Sequence, residues 1–342
     1  MKIAVVGATG LVGREMLTVL AERGFGNEDV IAAASPKSIG KTVDFAGRKL
    51  TVVSVDDAIA AHPQYAIFSA GASASRQYAP LFAAAGTTVI DNSSAWRKDP
   101  AIPLVVPEIN IDAATQAIRQ SSNQAIIIAN PNCSTIQMVL AISALQREYG
   151  IRRIVVSTYQ SVTGTGLKAI RQLEAEEGAA TVPESDKAYP YQIHRNLFPH
   201  GGDFLPDGYT TEEQKLVDET RKIFGDPTIS VSATVVRVPV VGGHSEAVNV
   251  ELRKEYDLDH VRQLIADTPG VILYDDPASL KYPMPILAHH KDEVFVGRLR
   301  RDNTQPNTLN LWVVADNIRK GAATNAVQIM EKIIEVRNTT IK

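Results

Sequence analysis

The chain has 342 residues, 44% hydrophobic and 21% charged, which suits folded domains and argues against long disordered stretches. Lys and Arg number 35 against 38 Asp and Glu, so a net charge of −3 supplies no positive field for a nucleic-acid backbone. No aliphatic run could span a bilayer (125–129 is typical), no apolar leader precedes the first glycines, and Cys133 stands alone, which excludes an internal disulfide. The chain therefore reads as a soluble cytoplasmic protein with neither nucleic acid nor membrane as partner, and its length predicts two domains.

Lys2–Val6 is a continuous apolar run ended by glycine, as expected of a strand buried on both faces. Residues 11–23 carry Leu11, Val12, Met16, Val19 and Leu20 at helical spacing, and strand-like runs follow at 30–34, 50–55, 66–69, 88–90 and 126–129. Strand and helix in repeated order predict an α/β fold, a Rossmann-type doubly wound parallel sheet.

After Pro131 the texture changes. A helix over 135–149 leads to a run at 154–159, a Gly/Pro/polar region at 178–209 and a helix near 211–224. Strand-like runs at 230–241, 247–252, 294–299 and 308–314 predict an α+β domain with a mostly antiparallel sheet. The final helix, 317–336, sets Ile318, Ala322, Ala326, Ile329, Ile333 and Val336 on one stripe and is expected to return to the first domain. The predicted division is 1–130 plus 317–342 for a dinucleotide-binding domain and 131–316 for a catalytic domain.

Gly7, Gly10 and Gly13 punctuate the turn between the first strand and the first helix. Glycines there let the backbone approach a pyrophosphate, whose charge meets unpaired N–H groups at the helix start. The spacing is GxxGxxG, and the plain alternative is a tight turn that binds nothing. An NAD-preferring site usually carries an acidic residue at the end of the second strand; here Ser35-Pro36-Lys37-Ser38 follows it, while Glu28 and Asp29 fall at its wrong end. Hydroxyls and a cation suit a 2′-phosphate, so NADP is the expected cofactor, with a solvated turn as the alternative.

Cys133 lies in Asn130-Pro131-Asn132-Cys133-Ser134-Thr135, between an apolar strand and an amphipathic helix. That places it at or just before a helix N-terminus, where peptide dipoles stabilise a thiolate and N–H groups can hold an oxyanion. The proton partner is sought in Gly242-Gly243-His244-Ser245-Glu246, read as a glycine turn after a strand. Arg237 sits inside an apolar strand, where a guanidinium requires an ion pair or a ligand carboxylate. His289-His290 beside Lys291-Asp292-Glu293 reads as a solvated loop, and no spacing of His, Cys and Asp indicates a metal site.

Taken in order, these motifs, with 157–166, Glu212-Glu213-Gln214-Lys215, Arg237-Val238-Pro239-Val240 and 316–323, resemble the bacterial aspartate-β-semialdehyde dehydrogenases over nearly the full length. The resemblance implies reversible, NADP-dependent reductive dephosphorylation of 4-phospho-L-aspartate to L-aspartate 4-semialdehyde, a step toward lysine, threonine and methionine. It implies Cys133 as the nucleophile that becomes acylated, His244 as acid/base and Gln160 as an orienting group. Arg237 would take the substrate carboxylate and Glu212 its ammonium, with Arg97, Lys215 and Asn132 holding phosphate. Cofactor contacts would come from Gly7, Thr9, Gly10, Leu11, Val12, Lys37, Ser38, Ser69, Gly71, Thr163, Gly164 and Asn317. A homodimer formed through the second domain is implied as well. Three places depart from the family pattern: Lys37 stands where an arginine is expected, 194–203 matches loosely, and Gly243 is expected to loosen the turn before His244.

Two alternatives stay open at this stage. An N-acetylglutamyl-phosphate reductase would share the glycine turn, thiol and histidine, but its substrate lacks the ammonium that Glu212 would meet. A non-catalytic NADP-binding regulator would have no need of Cys133, Gln160, Arg237 and His244 together.

Overall fold

The computed structural model describes residues 1–121 and 124–340. They divide into two units, one made of Met1–Asn132 with the C-terminal stretch from Ala322, the other of Cys133–Gly321.

In the first unit, five short apolar strands form a parallel sheet. They are β1 (Lys2–Val6), β2 (Asp29–Ala33), β5 (Tyr65–Phe68), β6 (Thr88–Asp91) and β7 (Ile127–Ala129), in the order β2-β1-β5-β6-β7. Alternation along β1 sends Ile3 and Val5 to one face and Ala4 and Val6 to the other. Ile3 and Val5 pack with Met16, Leu17 and Leu20 of α1 (Leu11–Leu20), Ala114 and Ile118 of α4 (Pro107–Gln120), and Val327, Met330 and Ile333 of α10 (Thr324–Thr340). Ala4 and Val6 pack with Ala58 of α2 (Val55–Ala60) and with Ala79 and Phe82 of α3 (Ala72–Ala84). Each large aliphatic side chain buried this way contributes roughly 1.5–3 kcal/mol. Helices on both faces of an all-parallel sheet make this the expected doubly wound unit, and the last helix does return to it.

The run at 50–55 splits: Val53 alone pairs in parallel with the sheet, its N–H donating to the Ala32 carbonyl at 2.9 Å and its carbonyl accepting from Ala34 N–H at 3.2 Å. Residues Thr42–Phe45 (β3) and Arg48–Thr51 (β4) form a separate antiparallel hairpin, and helix α2 starts at Val55 because Ser54 caps it, accepting from Asp57 N–H at 3.0 Å.

The second unit is a helix-covered mixed sheet. Its strands β8 (Ile151–Gln160), β9 (Ser230–Arg237), β10 (His244–Leu252), β11 (Val271–Leu273), β12 (Val294–Arg301) and β13 (Thr308–Ala315) run β11-β12-β13-β10-β8-β9. The outer pairs β11–β12 and β8–β9 are parallel and the three inner pairs antiparallel, so the predicted antiparallel character holds at the centre only. Helix α5 (Cys133–Tyr149) is buried almost throughout and packs on this sheet with α7 (Thr211–Phe224) and α8 (Leu258–Ala266). Helices α6 (Leu167–Glu177) and α9 (Pro285–Ala288) complete the unit. Along β8 the buried set Ile154, Val156, Thr158 and Gln160 alternates with half-buried Val155, Ser157 and Tyr159. One face is therefore core and the other is open, with Tyr159 and Trp312 rings 5.4 Å apart on it.

Candidate active site

Three neighbouring strands of the second unit end side by side, and each ends on a polar residue. Gln160 closes β8 and pairs in register with Arg237, which closes β9; His244 opens β10 one step beyond the Ser245–Tyr159 pair. His244 is thus the first residue of a strand, a correction to its placement in the glycine turn.

The thiol reaches these strand ends through α5. Cys133 is the helix's first residue and is half-buried, and the positive end of the helix dipole favours negative charge there. The next residue, Ser134, accepts from Gln160 Nε2 at 2.9 Å. One turn on, Gln137 donates from Nε2 to the His244 carbonyl at 3.3 Å. A Cβ at Gly321 would stand 2.7 Å from the Cys133 Cβ, so the turn after β13 closes directly against the thiol-bearing residue.

Ser161 organises the histidine and the arginine. Its N–H donates to His244 Nδ1 at 3.0 Å, and its carbonyl accepts from Arg237 Nη1 at 2.6 Å. Because Nδ1 accepts, the neutral ring carries its proton on Nε2, an atom with no partner among the described residues. Burial, helped by the Arg237 charge, pushes the His244 pKa well down, so the ring is neutral at ordinary pH. The geometry equips it as a hydrogen-bond donor; the expected base role would require Nδ1 to surrender its Ser161 bond. Arg237 is 8% exposed and, among the described residues, forms no ion pair. A desolvated guanidinium with donors to spare is a seat for a carboxylate.

Helix α7 brings the remaining charges beside β9. Thr210 and Glu213 form a capping box, and Glu213 also accepts from Val235 N–H at 2.9 Å, tying the helix start to the strand two residues before Arg237. Glu212 and Lys215 lie on this first turn and pair with one another at 2.6 Å. The loosely matching 194–203 stretch has a definite role: Phe198 and Arg237 exchange backbone hydrogen bonds of 3.0 and 2.8 Å, so the loop extends the strand edge. Asn317 accepts from Thr163 Oγ1 at 2.8 Å and from Gly243 N–H at 3.2 Å, and a Cβ at Gly164 would lie 3.0–3.2 Å from Arg237 and His244.

The first unit holds the other expected residues. Gly7 adopts φ +90°, and a Cβ at Gly13 would meet the Gly7 carbonyl at 2.1 Å, so strand, turn and helix approach more closely than any side chain permits. This cradle fits a dinucleotide. Gly10 N–H bonds Gly7 O at 3.0 Å, while Leu11 and Val12 begin α1. Thr9 Oγ1 lies 3.3 Å from Ser38 Oγ, next to exposed Lys37. Ser69 and Gly71 line the following turn, beside a cleft of about 190 Å³ walled by Val6, Ala34, Pro36, Ala70 and Tyr78. Arg97 is buried and donates to the Asn92 carbonyl at 2.9 Å; Asn92 in turn accepts from Asn130, two residues before buried Asn132.

Sequence reasoning missed the residues that orient others. Ser161 and Gln137 act through strand and helix register, which no local pattern displays. Glu246 is fully buried and its carboxyl is pushed well up by burial, an effect the Gln137 amide only partly offsets. His289 and His290 do lie in a largely exposed loop, but the His289 Nδ1 also stands 3.1 Å from the buried Asp316 carboxylate, a partner the sequence did not indicate.

A parallel-sheet unit with a glycine turn fit for a pyrophosphate, and a second unit presenting a thiol, an imidazole and a guanidinium with no ion pair among the described residues, are the parts of a nicotinamide-dependent oxidoreductase. The family profile "Semialdehyde dehydrogenase, NAD binding domain" matches residues 2–117, and "Semialdehyde dehydrogenase, dimerisation domain" matches 142–320. The chain is 49% identical to the aspartate-semialdehyde dehydrogenase of Aquifex aeolicus over 98% of both proteins, and 48% identical to that of Legionella pneumophila over 97% of this chain and 95% of the relative. The structure of aspartate semialdehyde dehydrogenase II from Vibrio cholerae, complexed with ASA, matches with a TM-score of 0.91 and 44% identity over 98% of each chain. The chain belongs to the aspartate-semialdehyde dehydrogenase family.

Proposed function

We propose that this chain interconverts 4-phospho-L-aspartate with L-aspartate 4-semialdehyde and phosphate, using NADP. The observation that carries the reading is the buried, unpaired Arg237 at the end of β9, with Gln160 and His244 at the ends of the adjoining strands.

In the biosynthetic direction the Cys133 sulfur adds to the acyl-phosphate carbonyl, the carbon–oxygen bond to phosphate breaks, and a thioester remains on the enzyme. His244 donates from Nε2 to the carbonyl oxygen as it gains charge, and the α5 N–H groups favour the same charge. Gln160, held by Ser134, orients the acyl group. Arg237 grips the α-carboxylate with a two-pronged fork, and Glu212, turned from Lys215, meets the α-ammonium. Lys215, Arg97 and Asn132 supply donors for phosphate. Gly7, Gly10, Leu11 and Val12 would hold the cofactor pyrophosphate, with Thr9, Lys37 and Ser38 near the 2′-phosphate, and Ser69, Gly71, Thr163, Gly164 and Asn317 completing the contacts. NADPH held there would supply a hydride to the thioester carbon, and Cys133 would leave as thiolate as the aldehyde forms.

A lone cysteine kept as a free thiol suits a reducing compartment, the cytoplasm. The open sheet face carrying Tyr159 and Trp312 supports a homodimer built by the second unit.

The test is NADPH formation from L-aspartate 4-semialdehyde, with and without phosphate, NAD run in parallel, and Cys133→Ala alongside. Expected are phosphate-dependent turnover, a preference for NADP of about tenfold from a single Lys37 cation, and a loss of about 10⁴-fold or more in the variant. Turnover that ignores phosphate or survives in Cys133→Ala overturns the reading.

A further inference from the structure

His289 and His290 follow α9, Asp316 follows β13, and the second unit's fold brings the three together. One ligand atom from each, a ring nitrogen of either histidine and a carboxylate oxygen of the aspartate, lies within 4.8 Å of the others. Asp316 is 2% exposed, His289 32%, and His290 lies at the surface, so the cluster has an anionic floor and a route in from solvent. The carboxylate is fixed from behind. Its Oδ1 accepts from Ile318 N–H at 2.8 Å and Arg319 N–H at 3.3 Å, and its Oδ2 accepts from His290 N–H at 2.8 Å. The His289 ring is fixed too, because Gly242 has φ +75° and a Cβ there would fall 2.1 Å from Nδ1. The Arg319 side chain, two residues after the aspartate's neighbour Asn317, pairs with Asp292 at 2.8 Å.

We propose that His289, His290 and Asp316 form a binding site for a divalent transition-metal ion of the zinc or cobalt class. Two imidazoles and one carboxylate are the donor set of those ions; calcium and magnesium take oxygen donors. Ligands about 2.0–2.2 Å from a tetrahedral metal stand about 3.3–3.5 Å from each other. The Nδ1–Oδ2 pair at 3.1 Å is near that spacing already, and rotation of the exposed His290 ring supplies the third ligand. The ion takes the place of the proton shared by His289 and Asp316, and hydrogen bonds behind the carboxylate hold it as outer partners hold ligating groups. The site is separate from the reacting groups but joined to them by one turn: Asp316 precedes Asn317, which accepts from Gly243 N–H beside His244.

The experiment is a cobalt(II) titration followed by visible absorption, with the Cys133→Ala protein used so that the thiol cannot compete. One equivalent giving tetrahedral d–d bands is expected, and His289→Ala and His290→Ala in that background each weaken binding about tenfold or more. His290 is exposed, so its variant keeps the fold; thermal melting without metal verifies this for both. Absence of saturable binding, or undiminished binding in either histidine variant, overturns the proposal.

Discussion

The two units build their sites by opposite means. In the first, the cradle is backbone: Gly7, Gly10 and Gly13 lie within one strand-to-helix turn, and what matters is the absence of side chains. In the second, the candidate site is side chains: Gln160, Arg237 and His244 are neighbours because β10, β8 and β9 end together, and α5, which begins at Cys133, is tied to them through Ser134 and Gln160. A backbone site is as strong as its local geometry, whereas a side-chain site is as strong as the register that assembles it.

That contrast can be broken first in the second unit. His244→Ala should lower kcat about 10²- to 10⁴-fold while leaving cofactor affinity nearly unchanged, measured by steady-state kinetics beside cofactor fluorescence titration. A parallel loss of cofactor binding would mean the two sites are not independent. Gly13→Ala tests the converse. The added methyl meets the Gly7 carbonyl, so the first unit should lose about 1–3 kcal/mol and cofactor affinity should fall, while Cys133 stays reactive toward an alkylating reagent.

The smallest effect sharpens the picture of the second unit's interior through pH. The folded Glu246 carboxyl titrates well above 4.5, so the folded state keeps a proton the unfolded chain sheds, and its contribution to stability is lost as pH rises beyond 4.5. Glu246→Gln removes that dependence, so its melting temperature should gain a few degrees on the parent as pH is raised from about 4 to 8. A constant difference would show the carboxyl is not buried neutral. His244 has the opposite sign: the unfolded ring binds a proton below 6.5 and the folded ring does not, so stability falls as pH drops through that region.

Much of this was legible in residue order. Glycine spacing, the apolar run Lys2–Val6 and the polar turn before Cys133 are local patterns, and local patterns fix where a chain turns, which stretch becomes a buried strand and where a helix begins. The family motifs likewise named Gln160, Arg237 and His244, which the structure sets at neighbouring strand ends. Periodicity held only in part at 50–55, where a short apolar run is shared between a hairpin, a single bridge from Val53 to the main sheet and a helix cap. It also gave only half of the answer at His289, whose charged neighbours rightly suggested an exposed loop but not its partner Asp316, 27 residues further on.

The sequence by itself determined the alternating elements, the glycine turn and the placement of the one thiol at a helix start, because each depends on dihedral preference and side-chain period within a dozen residues. Only the tertiary structure decided that Ser161 holds both His244 and Arg237, that Glu246 is buried, and that His289, His290 and Asp316 converge. Those facts follow from strand register and from turns closing over one another, and such long-range pairings leave no periodic trace along the chain.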